Sequence, residues 1–272
     1  MFKKFFLSVI LIFVAITMIA PFLIMVIISL SKNGQISYTD ASGIVQNLTL
    51  ANYSHVVNTI PVFRYFFNSL FVSVVTTIGQ VIISALAGYA FARINFKGRN
   101  LLFFTILITM FVPPQVNIIP LFFLMRELHL VNTFPALILP GIFGGFGVFL
   151  MRQHFLSFPK ELEEASVIDG CNKFQMFFKI VCPLAMPAIA TLSIFTFISS
   201  WNSFMWPLIV TNTDSMRTLP LGLAIFKGSY REIMLWGDIL ACAVICTVPA
   251  VLIFLLGKKY IINDMMKGSV KG

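Results

Sequence analysis

The chain has 272 residues, 58% of them hydrophobic and 11% charged, and carries a formal net charge of +9. A water-soluble protein of this size cannot cover its surface from so small a polar inventory, which excludes a soluble enzyme or binding domain. The 19 Lys and Arg outnumber the 10 Asp and Glu, but they sit in short loops beside apolar runs rather than in one patch. That distribution argues against nucleic acid as a partner.

The first apolar run is Phe5 to Leu30, preceded by Lys3 and Lys4. Its core of about 25 residues exceeds the roughly 7–15 of a signal peptide, and no small-x-small site follows, so it reads as an uncleaved span. Residues 32–64 read as a polar loop; its Asn47-Leu48-Thr49 and Asn52-Tyr53-Ser54 match the glycosylation pattern, a match frequent by chance. The second run, Tyr65 to Ala92, is punctuated by Asn68, Thr76, Thr77 and Gln80, and Ser84 with Gly88 suits close helix contact. Arg93, Lys97 and Arg99 read as a short basic loop. The third run, Leu101 to Leu124, contains Pro113-Pro114 and Pro120, so it must bend or break where protein or water satisfies the freed carbonyls. The fourth, Phe134 to Met151, holds Gly141 and Gly145 as a weak GxxxG motif.

Between the fourth and fifth runs lies the one long charged, helix-prone stretch, Pro159 to Pro187, with Glu161, Glu163, Glu164 and Asp169. Ser157 is suited to cap a helix start and Pro159 to sit in its first turn, where glutamates meet the positive end of the dipole. Gly170 breaks the run, and Phe174, Phe177, Phe178 and Val181 follow at helical spacing. The expectation is a short helix, a glycine turn and a second short helix. The fifth run, Ala188 to Val210, contains Trp201, Asn202, Ser203 and Trp206; a loop from Thr211 to Trp236 leads to the sixth, Gly237 to Ile262, and then to a polar tail, 263–272.

Six spans place thirteen of the 19 basic residues on the side of Lys3, Arg93, Lys160 and Lys267, and six on the side of Lys32, Arg126 and Arg217. By the positive-inside rule both termini and the charged stretch are cytoplasmic.

No Walker A pattern, HExxH or catalytic triad is present, so the chain is expected not to be an enzyme: catalytic residues, none; cofactors, none; metal, none. Cys242 and Cys246, four apart on one helical face, lack further ligands and read as packing residues. His55, His129 and His154 read as solvated loop histidines. The spans lack the ionisable residues that ion-driven carriers keep at membrane depth, with Asp238 only at the mouth of the sixth run; the energy source is expected on a partner.

Glu164-Ala165-Ser166, Asp169-Gly170, Phe177, Ile180 and Pro183 resemble the EAA loop of ABC-importer permeases, with Ser166 and Cys171 where that family more often has Ala. Trp201 to Asn212 resembles the fifth-span segment of carbohydrate importers, with Ser203 in place of Glu; Thr218 to Tyr230 resembles their external loop, and Met266 to Gly272 their terminal segment. The resemblance is to the shorter six-span subunit of the maltose-type subfamily. It implies an all-α polytopic membrane protein with six transmembrane helices and the type I permease fold. In domain terms, 1–64 is a first span with an external loop, 65–262 a core permease domain with its coupling loop at 159–183, and 263–272 a cytoplasmic tail. The implied function is sugar import as a multi-pass protein of the bacterial cytoplasmic membrane. Its implied partners are a second permease in a heterodimer, two ATP-binding subunits that bind the ATP and Mg, and an extracytoplasmic solute-binding protein.

Under that resemblance Glu161, Glu164, Ala165, Ser166, Asp169, Gly170, Phe177, Ile180 and Pro183 couple to the ATPase. Gly228, Ser229 and Tyr230 face the binding protein, and Gly268 to Gly272 reach between the ATPases. Trp201, Asn202, Ser203 and Trp206 offer aromatic faces and neutral polar groups to a sugar in the substrate pathway. A second reading puts the tryptophans in the interfacial aromatic belt and gives Asn202 a helix-to-helix hydrogen bond. The alternatives in function are an importer for amino acids, polyamines or phosphate compounds, a stand-alone secondary carrier, and a non-transporting scaffold.

Overall fold

A backbone immersed in hydrocarbon must satisfy its own N–H and C=O groups, and a run of apolar residues does so by coiling. The computed structural model is accordingly helical. It describes residues 2–32, 48–159, 161–168, 170–229 and 236–269, with side chains for 4–32, 48–159, 161–168, 170–225 and 236–260. In chain order the helices are α1 Phe2–Leu30, α2 Ala51–Thr59, α3 Val62–Arg93, α4 Arg99–Thr109, α5 Pro114–Glu127, α6 Phe134–Ile142, α7 Gly145–Leu156, α8 Glu161–Ile168, α9 Lys173–Leu184, α10 Met186–Trp201, α11 Met205–Val210, α12 Leu219–Ser229 and α13 Trp236–Ser269.

Among the described residues three helices are long and apolar enough to cross a membrane alone: Lys4–Leu30, Val62–Arg93 and Trp236–Tyr260. Three pairs pass the same test only when joined across a bend: 101° for α4–α5, 40° for α6–α7 and 76° for α9–α10, for up to 6 spans in all. The sharpest bend falls at Pro113-Pro114, where neither residue has an N–H to continue the helix.

Several boundaries differ from the sequence reading. The 32–64 loop contains α2, and the 211–236 loop contains a 3₁₀ turn, Asp214–Met216, and α12. The fifth run is interrupted between Trp201 and Met205, because Pro207 lacks the N–H that would bond to Ser203 and so starts a new helix with α11. The sixth helix continues into the expected tail, to Ser269.

Contacts divide the chain into two units. The first joins Met1–Phe66 with Leu219–Pro249. In it α2 is tied to the end of α1: the Asn52 amide donates to the carbonyls of Ser29 (2.8 Å) and Ser31 (3.0 Å), and Tyr53 shares a 2.7 Å hydrogen bond with Ser29. His55 is not a solvated loop residue. It sits on α2 with Nδ1 2.7 Å from Oδ2 of Asp238, whose side chain is 3% exposed in the first turn of α13. A buried carboxylate needs such a partner, and the helix that supplies it was hidden in what reads as a polar loop.

The second unit joins Phe67–Thr218 with Ala250–Gly272. Here α3 lies against α6 and α7 through small residues: Gly141 meets Thr76, Gly144 meets Gln80, Gly147 meets Ser84, and Gly88 meets Met151. Both numbers rise together along this ladder, so the second and fourth spans run in the same direction, as two even-numbered spans must. The GxxxG pair is split, since Gly145 faces Ile106 and Thr109 of α4 and the adjoining Met110 instead. Without a hydrophobic force between helices in lipid, small-residue contact of this kind supplies the packing.

Candidate functional site

Two features of the second unit stand out, a charged knuckle and a polar cavity. The knuckle is α8, a turn and α9. Three glutamates, Glu161, Glu163 and Glu164, fill the first turn of α8, where the exposed backbone N–H groups favour negative charge. Ser157 does not cap this helix. It closes α7, its hydroxyl donating to the carbonyl of His154 at 2.7 Å, and α8 begins four residues later.

The end of α8 is closed by two reversed hydrogen bonds, Gly170 N–H to Val167 O (3.0 Å) and Cys171 N–H to Ser166 O (2.9 Å). Gly170 holds φ at +76°, the left-handed conformation this closure requires and glycine adopts without penalty. Asn172 then opens α9 with a reciprocal cap: its side chain accepts from Gln175 N–H (2.8 Å) while Gln175 accepts from Asn172 N–H (3.0 Å). Residues Phe177–Val181 form a π turn, with the Cys182 N–H reaching back to Phe177 O.

The knuckle is rooted in a buried cluster. Phe177, Met176 and Val181 of α9 pack with Tyr89 of α3, Met151 and Phe155 of α7, and Leu192 of α10. Tyr89 meets Phe155 edge-on, with ring centroids 5.7 Å apart, and its hydroxyl donates to Met176 Sδ at 3.4 Å. Phe177, a sequence-predicted coupling residue, is therefore an anchor inside the protein. Ser166 is buried too and donates to Leu162 O at 2.5 Å. Glu161, Glu164, Ala165, Gly170 and Pro183 are exposed, Ile180 is half-buried, and Asp169 lies outside the described residues. The outer surface carries Ile168, 85% exposed, and Phe174, 75% exposed, with Val167 and Phe178. Exposed apolar groups in such density, rimmed by glutamates, mark an interaction surface.

Sequence reasoning missed the residue that fastens the knuckle. Arg93 belongs to the last turn of α3, not to a basic loop, and its side chain is 8% exposed. Its Nη2 donates to the carbonyls of Phe155 (2.7 Å), in the last turn of α7, and Phe158 (2.5 Å), just beyond it. Its Nε lies 3.1 Å from Glu163 Oε1 on α8. One planar, fork-shaped guanidinium thus joins α3, α7 and α8. The only signal was its position at the end of an apolar run, where a snorkelling cation is equally expected.

The cavity, about 520 Å³, lies between α3, α5, α6, α10 and α11. Its polar lining is neutral: Thr76, Gln80, Gln115, Asn117, Ser199 and Ser200 among others. Of the four sequence-predicted pathway residues, Ser203 and Trp206 line it. Trp206 Nε1–H donates to Ala136 O at 2.9 Å, fixing the ring. Trp201 is buried and stacked on Phe197, with centroids 5.8 Å apart and planes 15° off parallel, and Asn202 points to the exterior; neither lines the cavity. The hydroxyl- and amide-bearing residues of α3 and α5 were passed over because each looks like helix punctuation by itself. The segment beyond α11 is pinned by Asn132, whose Oδ1 accepts from Asn212 N–H (2.9 Å) and Thr213 N–H (3.0 Å), and by Asn68, which donates to Ser215 O (2.8 Å) and Arg217 O (2.9 Å). Gly228 and Ser229 end α12 with undescribed surroundings, and Tyr230 and 270–272 lie outside the described residues.

A family model described as "Binding-protein-dependent transport system inner membrane component" matches residues 80–266. The arabinooligosaccharides transport system permease protein AraQ of Halalkalibacterium halodurans is 38% identical over 267 residues, covering 96% of this chain and 94% of that one. The trehalose/maltose transport system permease protein MalG of Thermococcus litoralis is 34% identical over 267 residues, with coverage of 96% and 94%. A solved bacterial ABC transporter, described as involved in the import of the acidic polysaccharide alginate, contains a chain that matches with a TM-score of 0.82 at 24% identity, over 95% of this chain and 96% of that one.

Proposed function

The chain belongs to the family of binding-protein-dependent transport system inner-membrane components, with the type I permease fold of ABC importers, and from that premise we propose that it imports a sugar or oligosaccharide as one half of an ATP-driven pathway. A second, related permease forms the other half. Two ATP-binding subunits hold the ATP and Mg and grip the α8–α9 knuckle, and an extracytoplasmic solute-binding protein delivers the sugar. Both termini and the knuckle lie in the cytoplasm of a bacterium, and the chain itself requires no cofactor.

The observation that carries this reading is the double duty of α3. Thr76 and Gln80 line the cavity, and Tyr89 and Arg93 root the knuckle on the same unbroken helix. From Thr76 to Arg93 the helix runs about 26 Å at 1.5 Å per residue. Closure of the ATPase pair moves the knuckle, and α3 and α10 carry that displacement to the cavity walls, opening the cavity alternately to either side. The glutamates of α8 contact the rim of the ATPase groove, and Ile168 and Phe174 fill it.

Reconstitution of this chain with its permease partner in liposomes, with and without the ATPase subunits, tests the reading. Sugar accumulation is expected only with both the ATPase and ATP. Accumulation driven by an ion gradient in the absence of the ATPase contradicts it.

A further inference from the structure

The lining of the 520 Å³ cavity holds hydroxyl and amide groups but no ionisable side chain among the described residues. Two of its hydroxyls are singular. Thr76, 3% exposed, and Thr218, 5% exposed, each have a buried Oγ1 with no hydrogen-bond partner. Buried hydroxyls in folded proteins are nearly always paired, so two orphans in the wall of one cavity point to a partner that the protein itself does not supply. The nearby cation is not available to act as a counter-charge. Arg217, adjacent to Thr218 in the chain, is ion-paired with Asp214 and does not line the cavity. Trp206 has committed its N–H to Ala136, which leaves its ring, not its donor, for a ligand.

The chemistry of this lining discriminates between solutes. A saccharide hydroxyl both donates and accepts, and so matches threonine hydroxyls and the Gln80 and Gln115 amides in either sense, while its C–H face suits an indole. A carboxylate, sulfonate or phosphate meets no positive partner here and loses its hydration at membrane depth, where unpaired charge is strongly disfavoured. One relative named above is described with arabinooligosaccharides, and the solved transporter of like fold with the acidic polysaccharide alginate, so the comparisons leave the charge of the solute open.

We infer that this half of the pathway passes uncharged saccharides and rejects anionic ones, with Thr76 and Thr218 as the hydroxyls that take hydrogen bonds from, or give them to, the passing sugar. This inference rests on the sugar-import reading. It assigns a substrate class to the cavity and makes the two threonines specificity-determining residues.

The test uses the complete importer in liposomes, with the binding protein supplied, and compares ATP-driven uptake of neutral pentose and hexose oligosaccharides with uronic-acid oligomers of equal length. Neutral sugars are expected to accumulate at least about tenfold faster, the ratio that one lost hydrogen bond or a comparable desolvation cost produces. The Thr76→Val/Thr218→Val double variant, shown to assemble by co-elution of all subunits, is expected to lower neutral-sugar uptake by about tenfold or more. Thr76→Ser, which keeps the hydroxyl, is expected to stay near the unmodified rate, a rescue that a purely packing role for the side chain does not predict. Uronic oligomers carried as fast as neutral ones overturn the inference while leaving sugar import standing, as does unchanged uptake in the double valine variant. Import of an amino acid or polyamine with no saccharide carried overturns both.

Discussion

Arg93 and Glu163 lie 3.1 Å apart across the junction of α3 and α8, and the same guanidinium holds the carbonyls of Phe155 and Phe158. The knuckle is therefore not a loop hung between two spans. It is bolted to the second span at one end and rooted in the Tyr89–Phe155–Phe177 cluster at the other. A force applied at Ile168 or Phe174 has a rigid route into α3, α7 and α10.

Gly170 is expected to accept Asn better than Val. A Cβ added there meets no atom within 4 Å, so crowding is not the obstacle; the φ of +76° is. A β-branched residue in that conformation costs about 1–2 kcal/mol, whereas Asn visits it with less penalty. Gly170→Val should raise the ATP hydrolysed per sugar imported and Gly170→Asn should leave it close to normal, as measured in proteoliposomes.

Gly88 is expected to reject even alanine. Its Cβ would stand 2.7 Å from Met151 Cβ and 2.9 Å from the backbone nitrogen of Arg152, and a backbone atom cannot swing aside. Separating α3 from α7 costs about 1–3 kcal/mol by the usual measure of overpacking. Thermal denaturation in detergent should report a lowered midpoint for Gly88→Ala, and an unchanged midpoint means that the two helices lie farther apart.

The outer face of the knuckle gives a prediction of the opposite kind. Ile168 and Phe174 touch solvent over most of their surface, so Ile168→Glu and Phe174→Ser should leave thermal stability within about 0.5 kcal/mol of normal. Co-purification of the ATPase should nevertheless fall steeply, because buried apolar anchors dominate protein–protein affinity.

Asp238→Ala should destabilise the first unit. It leaves His55 without its 2.7 Å partner and opens a polar void in the first turn of α13, at a cost of about 1–3 kcal/mol. Asp238→Asn keeps a hydrogen bond to the ring and should recover part of the loss, as read by limited proteolysis between α1 and α2.

The features legible in the sequence were those written by backbone chemistry. Pro113-Pro114 announced a break, and the structure bends 101° there; Gly170 between a charged and an aromatic stretch announced a turn, and it adopts positive φ. Helices in the polar segments stayed hidden because α2 and α12 are short and their apolar positions face neighbours far away in sequence. Arg93 stayed hidden for a related reason. A cation at the end of a span is expected on lipid grounds alone, and nothing local reveals that two carbonyls and a glutamate converge on it. Trp201 misled in the other direction: an indole suggests a sugar platform, yet this one stacks on Phe197 in the interior.

The most direct test of the central claim is the ratio of ATP hydrolysed to sugar imported in proteoliposomes carrying Arg93→Ala, Arg93→Lys and Glu163→Gln. Arg93→Ala removes three interactions and is expected to cut uptake by about tenfold or more while the assembled complex continues to hydrolyse ATP. Arg93→Lys keeps the charge without the fork and should fall between, and Glu163→Gln, which removes only the charge of the ion pair and leaves both carbonyl contacts of Arg93, should be the mildest. An unchanged ratio in Arg93→Ala, with the complex intact, contradicts the account, because the knuckle would then drive the spans without the residue that fastens it to them.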